Sequence, residues 1–110
     1  CETGQAKMTP GFDLPARWVV HTVGPVWGGG AAGEPEQLAS CYRESLARAD
    51  EVEAATIVFP AVSTGIYGYP ADLAAAIAVD AVRSATTSVD EIIFICFDEA
   101  TLSIYRDLLA

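Results

Sequence analysis

Ser63-Thr64-Gly65-Ile66-Tyr67-Gly68-Tyr69-Pro70 follows the apolar run Thr56-Ile57-Val58-Phe59-Pro60-Ala61-Val62 and precedes Ala71-Asp72-Leu73-Ala74-Ala75-Ala76-Ile77. The apolar run has the β-branched and aromatic content, and the short length, of a buried strand. Gly65 and Gly68 permit positive φ and expose main-chain N–H groups, while Ser63 and Thr64 add hydroxyl donors, so the loop can wrap an anion or a diphosphate. The alanine-rich run reads as a helix with Pro70 at or near its first turn. A helix N-terminus adds unpaired donors and positive partial charge, and in open α/β sheets ligands bind beyond the carboxyl ends of the strands. Strand, glycine-rich loop and helix start together argue for phosphate recognition, with Tyr67 able to offer an aromatic face to a sugar or base. The alternative is a plain β-to-α connection whose glycines only make the turn and whose Tyr67 and Tyr69 pack on the surface. The loop has neither the lysine of a P-loop nor the spacing of a dinucleotide fingerprint.

On either side of this junction the pattern alternates. Residues 1–15 have no sustained period, and Gly4, Pro10, Gly11 and Pro15 make them a loop. Arg17 to Val23 is β-rich and stopped by Gly24-Pro25, hence a strand. Val26 to Gly33 reads as a flexible surface loop. Pro35 opens a helix with Glu34 and Glu36 in its first turn, and Leu38, Cys41, Tyr42, Leu46, Ala49 and Val52 form its apolar face. In the next helix Leu73, Ile77 and Ala81, with Ala74, Ala78 and Val82 alongside, give the sheet-facing stripe. Glu91 to Phe97 reads as a fully buried strand, and a last helix starts after Asp98, which can cap it. Three strand–helix units predict a largely parallel sheet with right-handed crossovers. The carboxyl ends of the second and third strands then lie on one side, bringing Phe97 and Asp98 toward the Ser63 to Tyr67 loop. Phe97 faces a ligand there or packs in the core.

The chain has 110 residues, 52% hydrophobic, with a formal net charge of -9. This length fits one domain, residues 1–110, and the low charged fraction favours a compact α/β fold over disorder. For a fragment, the same composition predicts an exposed apolar edge. Six basic residues scattered along the chain argue against gripping a nucleic-acid backbone. An anionic ligand remains compatible, because backbone N–H groups bind phosphate without lysine. Three cysteines with irregular spacing give no disulfide framework, and no signal peptide or membrane-length apolar run is visible, so a cytoplasmic protein away from membranes is expected. Cys41, on a helix's apolar side, and Cys96, in a strand, read as small core residues. With one histidine, His21, a structural zinc site is not expected. His21 within a strand reads as a hydrogen-bonded core or sheet-edge residue. A Ser63 nucleophile served by His21 and Asp98 is a further reading, against which stands the absence of a Gly-x-Ser-x-Gly elbow.

The Ser63 to Pro70 stretch resembles the diphosphate-binding loop of the macrodomain family, in its MacroD-type branch. Thr3-Gly4 to Thr9-Pro10-Gly11, Leu14 to Pro25 and Cys41 to Leu46 resemble further segments of that family in the same order. The resemblance implies a three-layer α/β/α macrodomain fold with a largely parallel or mixed sheet. It also implies that the chain corresponds to the C-terminal two-thirds of the domain, the N-terminal part being missing. The implied function is binding of ADP-ribose and, in the complete domain, hydrolysis of ADP-ribose adducts: mono-ADP-ribosylated acidic side chains or O-acetyl-ADP-ribose. A non-catalytic ADP-ribose-binding module is the alternative. By this resemblance Ser63, Thr64, Gly65, Ile66, Tyr67 and Gly68 hold the diphosphate and distal ribose, and Phe97 lies beside the adenine. The family's catalytic Asn and Asp belong to the segment that nothing here matches, so no catalytic residue is assigned. Neither a cofactor nor a metal is implied, and the expected partners are ADP-ribose, ADP-ribosylated protein or O-acetyl-ADP-ribose.

Overall fold

The structure, a computed structural model, describes residues 1–11, 16–65 and 67–110. Its elements are β1 (Ala6–Pro10), β2 (Trp18–Thr22), α1 (Glu34–Glu51), β3 (Thr56–Phe59), α2 (Ala71–Ser84), β4 (Glu91–Phe94) and α3 (Glu99–Leu109). The α/β alternation is as expected from Arg17 onward. The first strand is not: Ala6–Pro10, expected as loop, pairs antiparallel with β2 in the register Ala6↔Thr22 to Pro10↔Trp18. Pro10 sits at the strand's end, where the missing N–H removes no interior ladder bond.

β3 and β4 pair in parallel, Thr56↔Glu91 to Phe59↔Phe94. The described strands thus form two separate two-stranded sheets, one antiparallel and one parallel. Strands of both senses are present, the mixed alternative of the two expected rather than the largely parallel one. Both core strands are also shorter than expected, because Pro60 cannot donate to a ladder and the chain turns away after Phe94. Cys96 therefore follows β4 rather than lying in it.

Burial along β3 and β4 alternates, as the pleat requires of a sheet covered on one face. Ile57 and Phe59 face the core, with Ile92 and Phe94 packed against it. Val58, Ile93 and Ile95 are 48%, 40% and 44% exposed, so β4 is not the fully buried strand expected. An apolar face is bare.

The core is aromatic at its centre. Tyr42 of α1 meets Phe59 edge-on at 4.9 Å, Phe59 stacks on Phe94 at 6.1 Å, and Phe94 meets Tyr105 of α3 at 4.8 Å. Such pairs add to the area they bury. Leu38, Cys41, Tyr42, Leu46 and Ala49 are buried on α1 at the expected helical spacing. On α2 the buried set is Ala74, Ala75, Ala78, Val79 and Ala81, which lets α2 pack closely between α1 and α3. Leu73, expected in that stripe, is 47% exposed. Asp98 caps α3 as expected, its side chain accepting a 2.7 Å hydrogen bond from the Thr101 N–H.

Phe59→Ala should destabilise the protein by about 3–5 kcal/mol through the cavity it leaves. Val58→Thr on the bare face should stay within about 0.5 kcal/mol of wild type. Urea unfolding of the two variants checks the assignment of the strand's faces.

Candidate ligand-binding site

Because β3 and β4 run parallel, the segments leaving Phe59 and Phe94 emerge from the same end of the sheet. The Ile95 N–H still bonds the Phe59 carbonyl at 2.8 Å, so the two exits stay adjacent. Loop 60–70 leaves from one and Cys96 to Asp98 from the other. This is the end at which open α/β sheets bind ligands.

Within the loop, the Tyr69 N–H bonds the Ser63 carbonyl at 2.9 Å and the Gly68 N–H bonds the Gly65 carbonyl at 3.0 Å. The Thr64 hydroxyl donates to the Ala61 carbonyl at 3.0 Å, so it is engaged in the turn rather than offered as a donor. Among the described residues, the N–H groups of Ser63, Thr64, Gly65 and Tyr67 donate to no backbone carbonyl. Ile66, expected among the binding residues, lies outside the described residues, as do Leu14 and Pro15.

Ser63 carries the loop's strain. Its φ is +67°, a left-handed conformation that a non-glycine residue adopts at a cost of about 1–3 kcal/mol. Its hydroxyl is buried and has no hydrogen-bond partner among the described residues. Gly24, just after β2, lies so close that a Cβ there would collide with the Ser63 side chain. Gly68 needs glycine for its φ of +73°, whereas Gly65 has an unremarkable φ and open space where its Cβ would be. The fold does not require glycine at 65, and the surface there is free to be approached closely.

Tyr67 is 40% exposed and Phe97 84% exposed, which rules out core packing for Phe97. A cavity of about 990 Å³ lies between β2 and β3, lined by every residue of both strands and by Ser63 and Tyr67. Phe97 does not line it. The structure therefore brings Ser63 and Tyr67 to one cavity, with Thr64, Gly65 and Gly68 on the same loop, and sets Phe97 on the neighbouring exit.

The glycine-rich run before α1 is not the flexible loop expected. Glu34, only 3% exposed, accepts hydrogen bonds from the N–H groups of Gly28 (2.8 Å) and Gly30 (3.0 Å) on Oε2, and of Ala32 (2.8 Å) on Oε1. These bonds, that from Gly30 foremost, hold its pKa at about 2 against an ordinary 4.5. The Trp27 N–H then bonds the Tyr67 carbonyl at 2.8 Å, and its ring meets that of buried Tyr69 at 4.6 Å. Burial raises the Tyr69 pKa, and the Glu34 carboxylate adds to the rise. Sequence reasoning missed Trp27 and Glu34; an acidic residue directly after a glycine run was the available signal.

His21 lies exposed on β2, its Nε2 2.8 Å from the Thr9 hydroxyl, so it is the sheet residue expected. Ser63 makes no bond to it among the described residues, and Asp98 is engaged in capping. A Ser63–His21–Asp98 relay is not assembled. Among the described residues, no group of three or more His, Cys, Asp or Glu could hold a metal ion. No described helix is long and apolar enough to cross a membrane.

These features define an α/β domain with its candidate site at the carboxyl ends of a parallel strand pair. The chain belongs to the Macro domain family, whose model matches residues 1–78. It is 54% identical over 109 residues to a macro domain-containing protein of Ralstonia nicotianae, covering 99% of this chain and 64% of that protein. It thus spans a little under two-thirds of that relative's length. Among solved structures, the Oceanobacillus iheyensis macrodomain with ADP superposes with a TM-score of 0.92 at 38% identity, covering 98% of this chain and 58% of that one. The Trypanosoma brucei macrodomain in complex with ADP-ribose gives 0.87 at 37%, covering 100% of this chain and 47% of that one. The fold is therefore the macrodomain fold.

Glu34 is a depressed carboxylate, so the stability it contributes is complete above pH 4.5 and is lost as pH falls toward 2. Asp50 and Asp98 are also held low, by hydrogen bonds from the Thr87 hydroxyl and the Thr101 N–H respectively, and contribute in the same direction. Glu34→Gln should lower the urea midpoint at pH 5.5 and flatten its fall on acidification. The two midpoint curves should converge at the acid end.

Proposed function

We propose that residues 1–110 are the C-terminal two-thirds of a MacroD-type macrodomain that binds ADP-ribose. In the complete domain this site would hydrolyse ADP-ribose adducts, whether on acidic side chains of modified proteins or as O-acetyl-ADP-ribose. The observation that carries the reading is the loop at the end of β3, where Gly65 keeps its Cβ space open beside unengaged N–H groups. Support also comes from the ADP and ADP-ribose held by the two structurally similar macrodomains.

In this reading Ser63, Thr64, Gly65, Ile66, Tyr67 and Gly68 hold the diphosphate and distal ribose. Phe97, bare at the neighbouring exit, stacks beside the adenine. Thr64 takes part through its backbone, since its hydroxyl is engaged with Ala61. The loop orients the ribose while water attacks the anomeric carbon or the ester, a gain from positioning and fixed dipoles. The groups that activate the water would come from the part of the domain preceding Cys1. That part would also supply an extended strand for the cavity between β2 and β3, whose facing edges share no hydrogen bond among the described residues. Three free cysteines suit a cytoplasmic setting.

Titration calorimetry of the full-length protein with ADP-ribose tests the reading. Gly65→Glu should fold normally, because nothing lies within 4 Å of the Cβ position, yet lose binding by filling the diphosphate space with negative charge. Unchanged affinity would remove the loop from the site. Single-turnover release of ADP-ribose from an ADP-ribosylated acidic protein distinguishes the hydrolase from a binding module, for which binding would occur without release.

A further inference from the structure

We infer that Glu34 is a positioning residue for the ligand loop, fixing Tyr67 and Tyr69 from the far side of the 26–33 turn. This rests on the ADP-ribose reading of that loop.

The argument begins with acceptor chemistry. A carboxylate accepts through both oxygens and donates nothing, so it can gather several N–H groups at once. Glu34 gathers three, and its position at the first turn of α1 adds the helix dipole to their pull. The glycine-rich turn is thereby closed around the protein's own anion, with the N–H groups of Gly28, Gly30 and Ala32 already engaged. With Gly28 and Gly30 tied to one oxygen, Gly30 lies against the Trp27 ring, close enough that a Cβ would come within 2.9 Å of it. Trp27 is held between that turn and the ligand loop. Its N–H fixes the Tyr67 carbonyl, its ring fixes Tyr69, and the Tyr69 N–H returns to the strained Ser63 at 2.9 Å. A continuous path of hydrogen bonds and one ring contact therefore joins Glu34 to the residue with φ +67°.

Glutamine at 34 would keep one accepting oxygen and turn an NH₂ donor toward either Ala32 or the Gly28–Gly30 pair, breaking the closure with little change in volume. A role confined to starting α1 would cost stability without altering the ligand loop. The two are separated by measuring ADP-ribose affinity and amide hydrogen exchange together in full-length Glu34→Gln. The expected result is an affinity weakened roughly tenfold or more, as for loss of hydrogen bonds to a charged group. Faster exchange at the Trp27 and Tyr69 amides should accompany it, in a protein that still unfolds cooperatively.

Wild-type affinity in the folded variant overturns the inference, as does unchanged exchange at those two amides. If Glu34→Gln does not fold, Trp27→Leu removes the ring contact to Tyr69 while leaving the carboxylate's bonds and the backbone bond to the Tyr67 carbonyl intact. It should weaken binding comparably, and wild-type affinity there overturns the inference equally. Failure of the unsubstituted protein to bind ADP-ribose would instead strike the functional reading, and the exchange result then decides Glu34 alone.

Discussion

One helix holds together two sheets that share no hydrogen bond among the described residues. From three successive positions, α1 reaches both. The Ser40 hydroxyl bonds the Gly4 carbonyl at 2.7 Å and the Cys41 thiol bonds the Val23 carbonyl at 3.3 Å, securing the β1–β2 side. Tyr42 packs on Phe59 and so secures the β3–β4 side. Because all three project from one rigid turn, the two sheets are held on either side of the cavity between β2 and β3.

The same bracing determines where the candidate site can be. β2 exits at Gly24 directly against Ser63, and β3 exits into the loop that Ser63 begins. Two strand ends that are not neighbours in a ladder thus converge on one strained residue. A left-handed serine whose hydroxyl has no partner among the described residues persists only where its surroundings over-determine it. Here they are the Gly24 contact on one side and the Tyr69 N–H on the other. Cost and constraint coincide in the loop proposed to hold the ligand.

The exposed apolar face of β3 and β4 follows from the same pleat that buries Phe59 and Phe94. Alternation leaves Val58, Ile93 and Ile95 pointing away from the helices, and no described element covers them. The sequence runs Ile57-Val58 and Ile92-Ile93-Phe94-Ile95 are apolar on both faces, as strands buried on both sides are. The expected apolar edge is therefore a face, and it lies in a chain that spans 64% of its Ralstonia relative.

The sequence by itself determined the order of strands and helices from Arg17 onward, the Pro70 and Asp98 helix starts, the buried stripe of α1 and the loop that carries the candidate site. Those features depend on residues a few positions apart: side-chain periodicity, φ restriction at proline, a cap reaching three residues ahead. Tertiary structure alone decided the rest. Residues 6–10 become a strand through pairing with β2, against the local signal of Gly4, Pro10 and Gly11. Leu73 is outward and Ala75 inward because α2 lies between two helices. Glu34 looked like an ordinary first-turn acid, and only the folding back of residues 28–32 turned it into the anchor of the neighbouring loop. Local propensity constrains each segment's own dihedrals, whereas strand partners, buried carboxylates and strained turns are settled by contacts between segments.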